Sequence, residues 1–166
     1  MLKQRDRQTA QQVGVADLAV SNRWDEVLAA PAVGSSVGVA LYDPVARVGG
    51  LVHCPLPHSE LDPPRARQRP ATFVDTGVAE LLRAVVALGA RPDRLTARIT
   101  GGAMMLDDNG AFLSGERNIQ VATKTLQRNG IRIVGEDTGG NAARAVRLHL
   151  DNGRTTVKSR NHQREI

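Results

Sequence analysis

The sequence predicts an α+β fold, because strand-like runs are grouped at both ends of the chain and helical periodicity is confined to its middle. Residues 13–56 contain four short runs rich in apolar and β-branched residues, and residues 131–158 contain three more. A regular βαβ protein would instead alternate strand and helix along its length. We therefore expect one α+β domain at residues 11–158, a disordered N-terminal arm at 1–10 and a C-terminal tail at 159–166.

The composition indicates the cellular compartment in which the protein is expected. Its 166 residues include a single cysteine, Cys54, so no internal disulfide can form, and a reducing compartment, the cytoplasm, is the expected location. No apolar run reaches the roughly 18 residues that a membrane span needs. The charged N-terminus also lacks the apolar stretch of a signal peptide. We therefore expect no membrane insertion.

The net charge of +5 and the isoelectric point near 10.3 raise the question of nucleic-acid binding. Only 2% of the residues are aromatic, so few rings are available to stack on bases. The basic residues cluster at 3–7, 65–69 and 158–164, in the termini and in a loop, which is typical of a solvated surface. We expect no nucleic-acid partner and favour an acidic protein partner instead.

Four strands are predicted before residue 57. Apolar, β-branched runs suit strands at 13–20, 27–32, 37–42 and 48–56. The second of these contains Pro31, which cannot donate to a sheet ladder, so we expect that strand at an edge or at a bulge. The third and fourth are joined by a short reversal at Asp43-Pro44, which makes them neighbours in the sheet.

The middle of the chain predicts a loop, a helix and a strand. Residues 57–70 are rich in proline and charge and have no apolar period, so we expect a long surface loop. Apolar residues within 74–88 recur at helical spacing, and Gly89 ends the pattern as a C-cap. Residues 95–100 alternate apolar and polar side chains, which predicts a strand.

A second helix and three strands complete the chain. The helix is predicted over 114–129, with its first residue, a serine, as a candidate N-cap. Residues 131–134 suit a short strand. Residues 145–150 and 155–158 suit a hairpin, because the Asn-Gly pair between them favours a tight turn.

Residues 34–38, Gly-Ser-Ser-Val-Gly, fit the G-x-S-x-G pattern of the nucleophile elbow of α/β-hydrolases. That elbow places its serine at a strand-to-helix turn, whereas an apolar, β-branched run follows here. A different arrangement is available, because Ser36 precedes one strand, His53 lies near the end of the next, and successive strands usually pair. Ser36 and His53 are therefore the candidate catalytic residues, a nucleophile and a base.

His53 also has a structural alternative, since a lone histidine on an apolar strand is by default a satisfied core residue. Cys54 follows it directly, and successive strand residues point to opposite faces of a sheet. Cys54 is therefore expected on the other face from His53, as a packing residue.

The chain shows no cofactor or metal motif. A phosphate-binding loop would need G-x-G-x-x-G or G-x-x-x-x-G-K, and neither occurs. His58, His149 and His162 lack partners at metal-ligand spacing, and residues 107–110 resemble only half of a calcium loop. We expect no metal, no cofactor and a plain turn at 107–110.

Several blocks of the sequence together resemble the CheD family. They occur in order over most of residues 12–158. The blocks are Val37 to Gly50, His53 with Leu56-Pro57, Leu88 to Ala90, Arg94 to Ile99 with Gly101 to Ala103, Gly115 to Asn118, and Gly135 to Asn141.

This resemblance implies both a function and a fold. CheD proteins are chemoreceptor glutamine deamidases of bacterial and archaeal chemotaxis, in which a cysteine thiolate attacks the glutamine carboxamide, a histidine moves the protons and an upstream threonine assists. The implied fold is a two-layer β sandwich flanked by helices, similar to the deamidase domain of cytotoxic necrotizing factor toxins. The implied partners are chemoreceptor cytoplasmic helices and a CheC-type phosphatase, and we expect a monomer.

The chain departs from the family's pattern at two catalytic positions. Ser36 stands where the family has its cysteine, Ala30 aligns with the threonine, and His53 keeps the histidine. An alcohol depends on an adjacent base more than a thiol does, because a thiol is partly ionised at neutral pH. Two hypotheses follow: a glutamine deamidase with a serine nucleophile, and a catalytically impaired CheD-like protein that binds chemoreceptors or a CheC-type phosphatase.

Overall fold

The computed structural model describes residues 9–166, which form two five-stranded sheets and three α-helices. The strands are β1 (Thr9–Gln12), β2 (Asp17–Ser21), β3 (Glu26–Val33), β4 (Val37–Asp43), β5 (Val48–Cys54), β6 (Thr96–Gly101), β7 (Arg132–Thr138), β8 (Arg144–His149), β9 (Thr155–Ser159) and β10 (His162–Glu165). The helices are α1 (Pro63–Gln68), α2 (Val74–Ala87) and α3 (Gly115–Arg128). The outer sheet has the order β1-β3-β8-β9-β10, and the central sheet has the order β2-β5-β4-β6-β7.

The central sheet is covered on both faces. One face packs its apolar side chains against α2 and α3, and the other packs against the outer sheet. Strands β4 and β5 are consequently buried at every position. Burial on both faces explains why their sequences are continuous apolar runs rather than alternating ones. The predicted α+β class, with a two-layer β sandwich flanked by helices, is confirmed.

Helix α2 lies directly on β5 and matches the helix predicted at 74–88. Its buried residues include Val74, Val78, Leu81 and Val85, which form one stripe of the helix. A Cβ atom at Gly50 of β5 would come within 2.6 Å of the Leu81 Cδ1 atom. The missing side chain at this position therefore lets the helix approach the strand closely.

The strand predicted at 13–20 is correct only in its second half: residues 17–20 belong to β2, whereas residues 13–16 form the crossing between two strands that lie in different sheets. β1 ends at Gln12 and pairs in parallel with β3 in the outer sheet, whereas β2 begins at Asp17 and pairs with β5 in the central sheet. The apolar run covers the crossing as well as β2, because the crossing is itself partly buried: Val13 is inaccessible to solvent. Residues 1–8 of the predicted arm lie outside the described residues, and residues 9 and 10 belong to β1.

The alternatives left open for Pro31 resolve to a bulge. β3 lies between β1 and β8, so it is not an edge strand. Its register with β8 shifts between Ala30 and Val33, and the two residues before Val33 are exposed. The bulge removes Pro31 from the ladder, where its missing N–H would have left a carbonyl unpaired.

The segment 57–70 is not wholly a loop, because α1 forms within it. The side chain of Asp62 accepts a hydrogen bond from the N–H of Arg65 and prolines occupy the first turn, both of which favour a helix start. Only Ala66 of this helix is buried. With one buried residue, α1 has no apolar period that the sequence could reveal.

The predicted tail at 159–166 contains β10, which pairs antiparallel with β9. All four residues of β10 are exposed, so the strand lacks the alternation that marks a buried face. Ile166 is tied in as well, since its N–H donates to the carbonyl of Thr155 and its carbonyl accepts from Arg98 Nε.

The remaining predicted elements are present with small shifts at their ends. The strand predicted at 95–100 is β6, that at 131–134 is the longer β7, and the predicted hairpin is β8 and β9. The predicted second helix is α3, but the side chain of Ser114 makes no capping hydrogen bond. No helix within residues 9–166 is long and apolar enough to cross a membrane.

Candidate active site

Ser36 and His53 meet at one end of the central sheet. His53 on β5 is opposite Gly38 on β4, and Ser36 directly precedes β4. The Ser36 Oγ atom lies 2.6 Å from the His53 Nε2 atom. The serine is 8% exposed and the histidine 1% exposed, so the pair is almost fully enclosed. The structure therefore brings the two predicted site residues into direct contact.

The surroundings keep the His53 imidazole neutral. Burial lowers the pKa of His53, and the backbone of Val13 opposes this shift to a smaller extent. A neutral ring accepts at one nitrogen and donates at the other, so a ring that accepts from the Ser36 hydroxyl at Nε2 carries its proton on Nδ1. No side chain of residues 9–166 bonds Nδ1, and the backbone of Val13, which is close enough to act on the ring, falls short of full hydrogen-bonding geometry there. The ring is therefore a base without the orienting carboxylate of a Ser-His-Asp triad.

Cys54 lies on the opposite face of β5 from His53, as predicted. Its side chain is fully buried, and it packs so closely against α2 that a Cβ atom at Gly77 would come within 2.5 Å of the Cys54 Sγ atom. Burial raises the pKa of the Cys54 thiol. A buried thiol that stays protonated is neither an accessible nor a strong nucleophile, so Cys54 is a packing residue.

The turn that carries Ser36 is held by its carbonyl groups. The Gly34 carbonyl accepts from the N–H of Ala103 at 2.9 Å, and the Ser36 carbonyl accepts from the N–H of Gly102 at 2.8 Å. The Ser35 carbonyl between them accepts from the side-chain amide of Asn118 at 3.0 Å. All three successive carbonyl oxygens of residues 34–36, called the nucleophile turn below, are therefore anchored.

The N–H groups of the nucleophile turn are free in comparison. Neither Ser35 nor Ser36 donates a backbone hydrogen bond to any acceptor among residues 9–166. Free N–H groups next to a nucleophile are the usual donors of an oxyanion hole. The turn thus combines fixed carbonyls with donors that a ligand can use.

Gly101 allows the neighbouring strand to approach the nucleophile turn. Its φ angle is 101°, in the left-handed region, and a Cβ atom there would lie 2.4 Å from the Ser36 carbonyl oxygen. Any other residue would be strained and would push β6 away from Ser36.

Two residues of this site were missed by the sequence analysis. Asn118 is fully buried and donates from Nδ2 to the carbonyls of Ser35 and Pro55, both at 3.0 Å. It occupies the inner stripe of α3 together with Val121, Ala122 and Leu126. A polar amide within a buried apolar stripe was the signal that could have revealed it.

Arg144 is the second missed residue, and it is 7% exposed. Its Nη2 atom donates to the Gly139 carbonyl at 2.6 Å and its Nη1 atom to the Gly101 carbonyl at 3.4 Å, while Nε pairs with Asp137 at 2.7 Å. Burial acts to raise the pKa of Asp137, but hydrogen bonds from Arg164 and Arg144 outweigh it, and the pKa is lowered. Arg144 therefore supports the end of β6, where Gly101 lies against the Ser36 carbonyl of the nucleophile turn.

Ala30 contributes no polar group. It is fully buried on β3 opposite Val146, within the core between the two sheets. No three His, Cys, Asp or Glu side chains of residues 9–166 are grouped as a metal site would require. The chemistry available in the site is that of a hydroxyl, an imidazole and backbone N–H groups.

Fold and site together define an α+β sandwich protein with a buried serine–histidine pair, the serine in the turn before β4 and the histidine on β5. Residues 55–159 match the family model described as CheD chemotactic sensory transduction. The chain belongs to the CheD family, as the sequence resemblance predicted.

Curated relatives match most of the chain. A protein of Syntrophus aciditrophicus named "Probable chemoreceptor glutamine deamidase CheD 1" is 43% identical over 147 residues, which cover 89% of this chain and 92% of that protein. Similarly named proteins of Solibacter usitatus and Pyrococcus horikoshii are 42% and 41% identical, covering 93% and 88% of this chain and 91% and 90% of their own lengths.

One solved structure is a more distant match. A Neisseria meningitidis protein has a TM-score of 0.49 and 12% identity, covering 80% of this chain and 64% of that chain. The similarity to the deamidase domain of cytotoxic necrotizing factor toxins stays a prediction of the family resemblance.

Proposed function

We propose that the chain is a protein-glutamine deamidase that converts glutamine side chains of chemoreceptors to glutamate and releases ammonia. Membership of the CheD family and the names of its relatives support this activity. The observation that carries the proposal for this particular chain is the 2.6 Å contact between Ser36 Oγ and His53 Nε2. An alcohol nucleophile needs a base within hydrogen-bonding reach, and this contact provides one.

The first half of the reaction forms an ester. The Ser36 Oγ atom attacks the carbon of the glutamine carboxamide while its proton moves to His53 Nε2. The imidazolium then returns that proton to the amide nitrogen, the carbon–nitrogen bond breaks, and ammonia leaves. The product is an acyl ester between the former glutamine side chain and Ser36.

The second half repeats the proton transfers with water. His53 accepts a proton from a water molecule as its oxygen attacks the ester carbon, and it returns the proton to Ser36 Oγ as the ester bond breaks. Glutamate and the free serine result. The lowered pKa of His53 suits both halves, because the ring must be neutral before each attack.

Negative charge develops on the carbonyl oxygen in both halves. The N–H groups of Ser35 and Ser36 have no acceptor among residues 9–166, and we assign them to this oxyanion. A donor that is already in place needs no reorganisation during the reaction, which is why such groups stabilise transition states effectively.

An apolar loop beside the site suits a helical substrate. Residues 104–113 follow the Ala103 anchor of the nucleophile turn, and a Cβ atom at Gly34 would lie 2.7 Å from Met105 Sδ. The exposed large side chains of this loop, called the apolar rim below, are Met104, Leu106, Phe112 and Leu113. Chemoreceptor cytoplasmic helices present their glutamines on helical surfaces, and an apolar rim can hold the neighbouring turns of such a helix.

Substitutions at the two adjacent serines test the proposal. Ser36→Ala is expected to lower deamidation of a receptor fragment by about 10⁴-fold or more, because it removes the attacking oxygen. Ser36→Cys is expected to raise it, since a thiol is the stronger nucleophile and the base stays in place. Ammonia release and intact mass report the result, with each deamidation adding roughly one dalton.

Ser35→Ala is the matched control, because it removes a neighbouring hydroxyl and keeps the backbone groups of the turn. We expect its rate to stay within about threefold of the wild-type rate. If neither the wild type nor Ser36→Cys releases ammonia, while Ser36→Ala still binds the receptor fragment, the catalytically impaired binder is the correct hypothesis. Binding of a CheC-type phosphatase and a monomeric state stay predictions of the family resemblance.

A further inference from the structure

Asn118 joins the two segments that carry the candidate catalytic residues. Its side chain is fully buried, and its Nδ2 atom donates to the carbonyl oxygens of Ser35 and Pro55. Ser35 directly precedes Ser36, and Pro55 follows His53 by two positions. One side-chain amide on α3 therefore holds both the nucleophile turn and the end of β5.

The orientation of this amide follows from its partners. Both neighbours are carbonyl oxygens, which only accept hydrogen bonds, so the NH₂ end of Asn118 must face them. Its Oδ1 atom has no partner among residues 9–166. The side chain thus acts at this site through its two donors, and a carboxylate of the same shape would bring negative charge against two acceptors.

The anchored carbonyl determines where the Ser36 N–H points. In a trans peptide the C=O and the N–H of the same unit point in opposite directions, and no cis peptide bond occurs in residues 9–166. Asn118 draws the Ser35 carbonyl towards α3, so the Ser36 N–H of that peptide points away from α3 and has no acceptor of its own.

This peptide is the only one of the nucleophile turn anchored by a side chain. The carbonyls of Gly34 and Ser36 are held by backbone N–H groups of the segment after β6, which no substitution removes except proline. The Ser35 carbonyl depends on Asn118 alone. Loss of those donors leaves this peptide free to rotate and to turn its carbonyl, instead of its N–H, towards the reacting group.

We propose that Asn118 is a positioning residue that holds the Ser35–Ser36 peptide so that the Ser36 N–H stabilises the oxyanion of deamidation. This role rests on the proposed deamidase function. Asn118 touches no reacting atom in this scheme, and its effect passes through the backbone of the nucleophile turn.

The kinetic test compares Asn118→Asp with Asn129→Asp. Asn129 lies at the other end of α3, is exposed, and donates from Nδ2 to the Thr125 carbonyl at 2.8 Å, so it undergoes the same chemical change away from the site. Loss of one oxyanion donor lowers kcat by about 100-fold or more. We expect Asn118→Asp to show this loss with KM within about threefold of wild type, and Asn129→Asp to leave both constants within about twofold.

A protonated aspartate supplies a second kinetic readout. The carboxylic acid form of Asn118→Asp has one O–H donor and can restore one of the two lost hydrogen bonds. The ratio of its kcat to the wild-type kcat is therefore expected to rise as the pH falls. If Asn118→Asp fails to fold, Asn118→Ala replaces it, with the same expected loss of kcat and no dependence of the ratio on pH.

A crystal structure of the folded variant tests the role without relying on activity. We expect the Ser35–Ser36 peptide to be rotated in Asn118→Asp and unchanged in Asn129→Asp. An unrotated peptide, or a wild-type kcat in the folded variant, would overturn the proposal. If the wild-type chain itself releases no ammonia from a receptor fragment, the deamidase function fails and the oxyanion role fails with it, whereas a rotated peptide would still show that Asn118 holds the backbone of the nucleophile turn.

Discussion

The two ends of β4 use buried polar groups in opposite ways. At the C-terminal end, the fully buried Asp43 carboxylate pairs with the Arg94 guanidinium at 2.9 Å. It also accepts hydrogen bonds from the backbone N–H groups of Val45, Ala46 and Arg91. Burial raises the pKa of Asp43, but these hydrogen bonds together outweigh it and lower the pKa to about 2.

At the N-terminal end, several polar groups are left without partners. The N–H groups of Ser35 and Ser36 meet no acceptor among residues 9–166, and the Nδ1 atom of His53 has only the backbone of Val13 nearby, without full hydrogen-bonding geometry. A buried polar group that only stabilises a fold is normally satisfied, because an unsatisfied one reduces stability. The Asp43 end is therefore a satisfied structural site, whereas the Ser36 end has unpaired donors, as the proposed oxyanion site requires.

The substitution with the largest expected effect on stability is Asp43→Asn, at the C-terminal end of β4. Asp43→Asn removes the charge that pairs with the partly exposed Arg94 guanidinium and weakens the hydrogen bonds to the buried carboxylate, which costs about 1.5–3 kcal/mol of the free energy of unfolding. Urea denaturation measures this change. The activity per folded molecule is expected to stay near the wild-type value, since Asp43 lies about 20 Å from Ser36, at the other end of a seven-residue strand.

Asp93→Asn is the matched control, because Asp93 pairs with Arg91 on the surface and is well exposed. We expect it to cost less than about 1 kcal/mol. The Asp43 contribution is present above the ordinary carboxyl pKa near 4 and is lost as the pH falls through about 2. Equal losses in the two variants would contradict the contrast between the ends of β4.

The pH dependence of activity and of stability tests the role of His53 at the Ser36 end of β4. Because the folded pKa of His53 is lowered, the ring stays neutral as the pH falls through about 6.5, and kcat/KM is expected to decline only below that, by up to tenfold per pH unit. Stability behaves differently. The unfolded chain takes up the proton first, so the free energy of unfolding decreases as the pH falls below about 6.5.

His53→Gln isolates this effect on stability. Burial also lowers the pKa of His149, which therefore contributes to the same pH range. The contribution of His149 cancels in the difference in the free energy of unfolding between wild type and His53→Gln. This difference should shrink as the pH falls below 6.5. A kcat/KM profile with its midpoint above 6.5 would show that His53 is not the neutral base.

The smallest expected effect concerns the apolar rim. Phe112 and Val45 are both 69% exposed; Phe112 bridges Leu106 within the loop that follows Ala103, and Val45 lies beyond the Asp43 end of β4. Phe112→Ser is expected to raise KM for a receptor fragment about threefold to tenfold with kcat unchanged, because it removes apolar contact with the bound helix. Val45→Ser should change neither constant, and equal effects of the two would refute a docking role for the rim.

Much of the site's framework could be predicted from local sequence. Burial of β4 and β5 on both faces leaves uninterrupted apolar runs in the sequence, and a short connection makes the two strands neighbours. The contact between Ser36 and His53 could be predicted from that pairing. Asn118 could not be predicted in the same way. Its partners lie 83 and 63 residues away in the chain, and only the packing of α3 brings them together.

Elements with little burial were the other failures. α1 has one buried residue and β10 has none, so neither leaves an apolar period in the sequence. The division of residues 13–20 into a crossing and a strand was also hidden, because buried crossings and buried strands have similar compositions. Hydrophobic periodicity reports which residues are buried. It therefore cannot separate a buried crossing from a buried strand, or an exposed helix or strand from a loop.

The sealing of Cys54 beneath α2 affects how the chain tolerates oxidative stress. Peroxide and alkylating agents act on accessible thiolates, and the sole sulfhydryl of this chain is protonated and shielded. A serine in the nucleophile's position has no sulfenic or sulfinic form to which it can be oxidised. The nucleophile proposed for this protein is therefore not itself open to oxidation, in contrast to the cysteine chemistry that its family implies.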